Sequence, residues 1–172
     1  APTWFRTAGL PARLYGMIMG GKPLTGYHAF MFLLPVFIFH AHFAMGMEWS
    51  IAAECKAWAM YFAWCVMWDY HWFVLNPIYA KRFRRDQIWW HAKSYWVGGL
   101  FPIDYLAGIG TSIGFAALGG WLNGWETFVS HMELLGGFAA YTTGLHILAP
   151  LYRSWSFLFQ LAAKRQRLIN DG

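Results

Sequence analysis

The chain has 172 residues, of which 58% are hydrophobic, 21% are aromatic and 12% are charged, and its formal net charge is +5. Soluble domains carry about a quarter of their residues as charged ones, so this composition predicts a protein of the lipid bilayer. The absence of a P-loop, a nucleophile elbow and paired CxxC motifs from the sequence leaves nucleotide-driven, hydrolase and thioredoxin-like functions without support. We expect one domain over residues 1–172, because no linker-like stretch divides the chain.

The first twenty residues, APTWFRTAGLPARLYGMIMG, predict an amphipathic segment that lies at the membrane interface. They lack the uninterrupted apolar core of a signal peptide. We expect Arg6 and Arg13 to face lipid headgroups.

Four stretches are long and apolar enough to cross a bilayer, which takes about 20 apolar residues. They cover about 26–47, 57–76, 95–121 and 127–151. Pro77 closes the second stretch, since proline cannot continue a hydrogen-bonded helix. The third is rich in glycine, which lets membrane helices approach closely, so we expect it to be central to the packing. The predicted fold class is an all-α integral membrane protein, a four-transmembrane-helix bundle.

The charges in the connections alternate with the predicted spans and predict their orientation. Acidic residues dominate the connections that contain Glu48, Glu54, Glu126 and Glu133. Basic residues mark the inner side of a membrane protein, so both termini are predicted on the cytoplasmic or equivalent inner side. We assign the bases to topology and to anionic lipid rather than to nucleic acid. They are Arg6, Arg13 and Lys22, then Lys81, Arg82, Arg84, Arg85 and Lys93, and finally Arg153, Lys164, Arg165 and Arg167.

Histidines on the first and fourth spans fall into two predicted layers. His28 and His42 are fourteen residues apart, which corresponds to about 21 Å along a helix. His131 and His146 are fifteen residues apart on the fourth span, which runs antiparallel to the first. His28 is therefore expected beside His146 in the inner leaflet, and His42 beside His131 in the outer leaflet.

This spacing resembles that of the cytochrome b proteins of quinone-linked complexes, and the resemblance is confined to the spacing. It implies one or two b-type haems between the first and fourth spans, and electron transfer with a quinone and other membrane subunits. The fourth span has Gly136, Gly137 and Gly144 where a porphyrin would need room. The first span departs from the pattern, since phenylalanines and no glycine separate its histidines.

A second constellation on the inner side suits iron, copper or zinc and predicts an alternative function, a metal-dependent membrane oxygenase or hydroxylase. The HxxxH and HxxHH boxes of membrane hydroxylases and desaturases are absent from the sequence. Two of its members, Asp69 and His71, point about 200° apart on one helix and cannot both bind one ion. Asp69 is also our candidate catalytic residue, as a proton acceptor for quinol oxidation. The constellation comprises His28, Asp69, His71, His91, Asp104 and His146.

Two further interpretations stay open from the sequence. The histidines would ligate (bacterio)chlorophyll in a pigment-binding subunit, or each would donate to a neighbouring carbonyl or carboxylate in a structural accessory subunit. At the outer end, one of His40 and His42 must point away from the other, because an HxH pair is split across helix faces. We interpret Glu48 and Glu54 as exposed loop acids.

Overall fold

The computed structural model describes residues 9–18, 23–76, 83–86, 88, 91 and 94–170, with the backbone alone at 18, 27, 29 and 152–170. Arg6, Lys22, Pro77, Lys81, Arg82 and Lys93 lie outside the described part. The chain is mostly helical there, which confirms the all-α class. Its elements are α1 (Leu10–Ile18), α2 (Gly26–Ala44), α3 (Ile51–Leu75), β1 (Trp96–Val97), β2 (Phe101–Pro102), α4 (Ile103–Asn123) and α5 (Glu126–Asn170).

Side-chain hydroxyls cap the N-termini of α2 and α3. The Thr25 hydroxyl accepts a hydrogen bond from the His28 backbone N–H at 3.4 Å, at the start of α2. The Ser50 hydroxyl accepts one from the Ala53 backbone N–H at 3.1 Å, at the start of α3. Such caps satisfy backbone donors that have no partner within the helix, and so fix where each helix begins.

The third predicted span begins later than expected. Residues 96–102 form a short antiparallel hairpin, with Trp96 opposite Pro102 and Val97 opposite Phe101. Gly98 and Gly99 have φ angles of +58° and +72° in its turn, a conformation that glycine adopts at low cost. The helix starts at Ile103, whose N–H donates to the Tyr95 carbonyl at 2.8 Å. The last helix continues to Asn170, well past the predicted end at 151.

Helix α3 lies at the centre, because α2, α4 and α5 all pack against it. Its residues that face these three neighbours lie about a third of a turn apart, so each neighbour occupies its own sector. Within the described residues, α2 and α5 share no extensive contact. The first and fourth spans therefore do not face each other as predicted. Each of them packs separately against α3. Contacts to α2 come from Glu54, Trp58 and Trp64, contacts to α4 from Cys55, Ala59 and Phe62, and contacts to α5 from Met67, Tyr70 and His71.

The α3–α4 contact is the most extensive, as the glycine content of the third span predicts. Gly119 is buried, and a Cβ there would lie 3.3 Å from the Cys55 Cβ and 3.4 Å from the Ala52 carbonyl oxygen. The rings of Phe62 and Phe115 stack with centroids 5.8 Å apart. A side chain at position 119 would therefore push the two backbones apart.

Two helices are long and apolar enough to cross a membrane by length and composition, Ile103–Asn123 and Glu126–Leu151, and the apolar helix Phe30–Ala44 is shorter. The core helices of soluble proteins also meet this criterion. However, only 22% and 6% of the two apolar windows are buried inside the protein. Apolar helices with so little burial need lipid or another protein to cover them, which supports membrane association.

We expect Gly119→Leu to destabilise the protein relative to Gly114→Leu, whose position in α4 is open to its surroundings. Both changes raise helix propensity alike, so their difference isolates the packing against α3, worth about 1–3 kcal/mol. Thermal unfolding in detergent, followed by circular dichroism, measures it. Equal unfolding temperatures for the two variants would contradict the close α3–α4 packing.

Candidate functional site

Three of the predicted inner-side residues meet directly where α3 ends and α4 begins. His91 Nε2 lies 2.9 Å from Asp69 Oδ2, and His91 Nδ1 lies 3.2 Å from Asp104 Oδ2. The Tyr105 hydroxyl donates to Asp69 Oδ2 at 2.6 Å, and the Ser94 hydroxyl donates to Asp104 Oδ2. We call these five residues the Asp–His–Asp network.

The loop before the hairpin holds His91 in place. The His91 side chain is about 94% buried, and the His91 backbone carbonyl accepts a hydrogen bond from the Trp96 indole at 3.0 Å. Its backbone N–H donates to the Ile88 carbonyl at 3.1 Å. Ile88 and Trp96 belong to the buried apolar cluster with Phe73, against which Phe83 packs. The imidazole is thus positioned by a hydrophobic cluster, while its two nitrogens face carboxylates.

The hydrogen-bond geometry of the network matches an imidazole that carries an N–H on both nitrogens. An ionised carboxylate only accepts hydrogen bonds, so a ring whose two nitrogens both face carboxylates is satisfied when it is protonated. Tyr105 and Ser94 then donate to the same carboxylates and disperse the remaining negative charge. The side chains of Asp69 and Asp104 are 36% and 48% exposed, whereas His91 is buried. A proton on the imidazole therefore lies between two acceptors that both reach the surface.

The same geometry does not favour a metal ion. Within the described residues, no group of three or more His, Cys, Asp or Glu side chains is arranged to hold one. The physical reason is that Asp69 and Asp104 approach opposite nitrogens of the His91 ring, so their oxygens do not converge with one nitrogen on a common point. His71 lies on another face of α3, as its two-residue separation from Asp69 predicts, and bonds to α5.

His71 and His146 form a neighbouring cluster with Tyr70 and Thr142. The Thr142 hydroxyl donates to the Phe138 carbonyl at 2.8 Å, so it accepts from His71 Nε2–H at 2.7 Å. His146 Nδ1–H donates to the Thr142 carbonyl at 2.9 Å, which leaves its Nε2 to accept from the Tyr70 hydroxyl at 3.1 Å. Tyr70 also meets Tyr105 edge to face, with centroids 6.0 Å apart. The two polar clusters are thus separated by a single aromatic contact.

The four predicted haem ligands lie in different environments. His28 Nδ1 lies 2.7 Å from the Thr25 hydroxyl oxygen, and its ring meets Tyr15 of α1. The ring of His42 lies against Phe43 with centroids 4.0 Å apart. His131 is 5% exposed, and its Nε2 lies 2.8 Å from the Ser112 hydroxyl, which itself donates to the Ala59 carbonyl. That hydroxyl can only accept from His131, so Nε2 carries the proton. The haem itself stays a prediction.

At the start of α3, far from the Asp–His–Asp network, the interpretation of Glu54 as an exposed loop acid is wrong. Its carboxylate is half-buried and is bonded by His40 Nε2 at 3.0 Å, Trp58 Nε1 at 2.8 Å and Trp49 Nε1 at 3.1 Å. Glu54 lies in the first turn of α3, before the predicted span that begins at residue 57. Desolvation raises the pKa of its carboxyl, but the hydrogen bonds from His40, Trp49 and Trp58 outweigh that effect and lower the pKa. His40 and His42 point to different partners, as the HxH spacing predicts.

Tyr105 and Ser94 are the members of the network that the sequence reasoning missed. One signal was present for Asp69. Asp69 lies on the same face of α3 as four residues that precede it at helical spacing, namely Cys55, Ala59, Phe62 and Val66. This face of α3 packs against α4. A carboxylate on that face requires polar partners near the start of α4, where Asp104 and Tyr105 lie.

Compared with protein-family models, with curated proteins and with solved structures, the chain matches none of them. The function must therefore be argued from the chemistry of these residues.

We expect Ser112→Ala to destabilise the protein by about 1–3 kcal/mol, because it leaves the His131 N–H without its buried acceptor. Ser130→Ala, at an exposed position of α5, is the control and is expected within about 0.5 kcal/mol of the parent. Thermal unfolding in detergent provides both values. A Ser112→Ala variant as stable as the Ser130→Ala variant would show that His131 does not depend on this hydrogen bond.

Proposed function

We propose that the chain is a four-span integral membrane protein with both termini on the inner side, and that it serves as a proton-exchanging subunit of a quinone-linked redox enzyme. The alternation of basic and acidic connections supports the four spans and their orientation. The two long apolar helices and the shorter one in α2 add to this. Under this topology the Asp–His–Asp network lies at the inner end of the bundle.

The observation that carries the proposal is the buried His91 ring held between the carboxylates of Asp69 and Asp104. Chains of Asp, Glu and His at membrane depth mark proton relays in pumps and transporters. Oxidation of a hydroquinone releases protons together with electrons, so the enzyme needs such an acceptor. Asp69 takes the proton and passes it to Nε2 of His91. The ring then releases its other proton from Nδ1 to Asp104, which gives it to water. Tyr105 positions Asp69 through its hydrogen bond.

The relay predicts that Asp69→Asn lowers quinol-dependent electron transfer at least tenfold, since an amide cannot accept the proton. Glu133→Gln, an equal change of charge at an exposed position of α5, is the control and is expected to keep the parent rate. The measurement is quinol oxidation in membranes that contain the full chain with its native partners. It is normalised to the amount of chain present.

The pH profile separates a relay from a structural role. Tyr105→Phe removes a donor to Asp69 without removing the carboxylate, so we expect the pH optimum of quinol oxidation to shift while the chain remains assembled. A structural role would lower the amount of chain and leave the optimum of the remainder unchanged. Parent-like rate and pH profile in Asp69→Asn would overturn the proposal.

A second candidate function, haem-mediated electron transfer, is favoured by one observation on His146. His146 donates from Nδ1 to a backbone carbonyl, so Nε2 bears the lone pair. His28 Nδ1 is likewise within hydrogen-bond distance of Thr25. A hydrogen bond at Nδ1 is the arrangement that orients an axial imidazole ligand. We propose His146 as a residue that would hold a b-type haem. His28 could not bind the opposite face of the same haem, because α2 and α5 share no extensive contact in the described residues. His131 does not share this tautomer.

This candidate predicts a reduced-minus-oxidised spectrum with a sharp b-type α band that disappears in His146→Ala and persists in His131→Ala. The reason is that the two rings expose different nitrogens. Iron analysis of the same purified samples provides an independent measurement. A featureless spectrum of the parent protein would remove haem and leave the proton relay to be judged by its own test.

A further inference from the structure

The connection after α2 brings two methionines next to a histidine. The sequence there is HAHFAMGME, with His42, Met45 and Met47 within six residues. Neither methionine packs into the protein, because their side chains are 80% and 56% exposed. Neither the proton relay nor the inner haem uses this segment.

The backbone of the turn brings these three residues close together in space. The Met47 N–H donates to the His42 carbonyl and the Gly46 N–H to the Phe43 carbonyl, both at 3.1 Å. Gly46 has a φ of +97°. These two hydrogen bonds and the left-handed glycine define a Schellman ending, in which the residue after the glycine folds back over the residue that accepts its N–H. The backbones of Met47 and His42 are therefore in direct contact.

The neighbouring residues determine which groups are available. His40 is committed elsewhere, because its Nδ1 lies 2.6 Å from the Val36 carbonyl and its Nε2 bonds to Glu54. His131, the partner that the histidine spacing assigned to His42, is bonded through Nε2 to Ser112. Glu48 follows the turn directly and is exposed, so it adds negative charge beside it.

We propose that His42, Met45 and Met47 form a binding site for Cu(I). Thioether sulfur is a soft ligand that selects Cu(I) over harder divalent cations, and imidazole accompanies it well. A site of two sulfurs and one nitrogen satisfies this ion at a low coordination number. The exposure of both methionines lets the ion be taken up and passed on without opening the helix bundle.

The test is Cu(I) binding to the purified full chain in detergent, under anaerobic reducing conditions, in competition with the chromogenic chelator bathocuproine disulfonate. We expect one Cu(I) per chain, held at least tenfold more weakly by Met47→Leu and by His42→Ala. Leucine nearly conserves the volume of methionine, so Met47→Leu removes the sulfur with little effect on the fold. Met132→Leu, at an exposed methionine of α5, is the control and is expected to bind as the parent does.

X-ray absorption at the copper edge of the loaded parent protein gives a second, variant-independent measurement. Sulfur and nitrogen shells around copper would support the site. Three outcomes would each overturn the proposed Cu(I) site. They are failure of the parent to retain Cu(I) against the chelator, parent-like binding by the Met45→Leu/Met47→Leu double variant, and a copper shell without sulfur. These outcomes leave the Asp–His–Asp network untouched, because none of its residues takes part.

Discussion

The structure depends on how α3 satisfies its polar side chains while three helices pack around it. A buried polar group costs free energy unless it finds a hydrogen-bond partner, and the cost is larger where no water reaches it. Each neighbour of α3 supplies such a partner in its own sector. His40 of α2 bonds to Glu54, Tyr105 of α4 bonds to Asp69, and Thr142 of α5 bonds to His71. These contacts fix the rotation of each helix about α3, which apolar packing alone would leave less defined.

This arrangement also determines where chemistry is possible. In the middle of the bundle the Ser112 hydroxyl bridges His131 and the Ala59 carbonyl, and all three helices α3, α4 and α5 meet at this closed contact. At the end near the hairpin, by contrast, His91 is buried but its two carboxylate partners are partly exposed. Proton exchange needs both a shielded group and a path to water. The contact near the hairpin offers both.

Much of the fold could be predicted from the sequence, because long apolar stretches and glycine content report directly on helices and on their close approach. The positions of α2 and α3, the start of α5 and the tight α3–α4 contact followed from these signals, whereas the continuation of α5 to Asn170 did not. The hairpin at 96–102 could not be predicted, because an apolar, glycine-rich sequence is compatible with either a helix or a turn. Its geometry is set by Pro102 and by the hydrogen bond from Ile103 to Tyr95. The sequence predicted a constellation that contains Asp69, His91 and Asp104, but not which of its members meet. The partners of His91 depend on a loop whose path no local pattern encodes.

The histidines show why position along a helix is insufficient to assign a role. His131 and His146 lie on one helix, and the spacing treats them as equivalent ligands. Yet His131 presents an N–H at Nε2 to Ser112, whereas His146 keeps its proton at Nδ1 and presents a lone pair at Nε2 to Tyr70. A metal or haem iron binds the lone pair and cannot bind the N–H. The hydrogen bond made by one ring nitrogen therefore determines whether the other nitrogen offers a lone pair to a ligand or an N–H to a neighbouring helix. The partner in that hydrogen bond is set by the tertiary structure and not by the position along the helix.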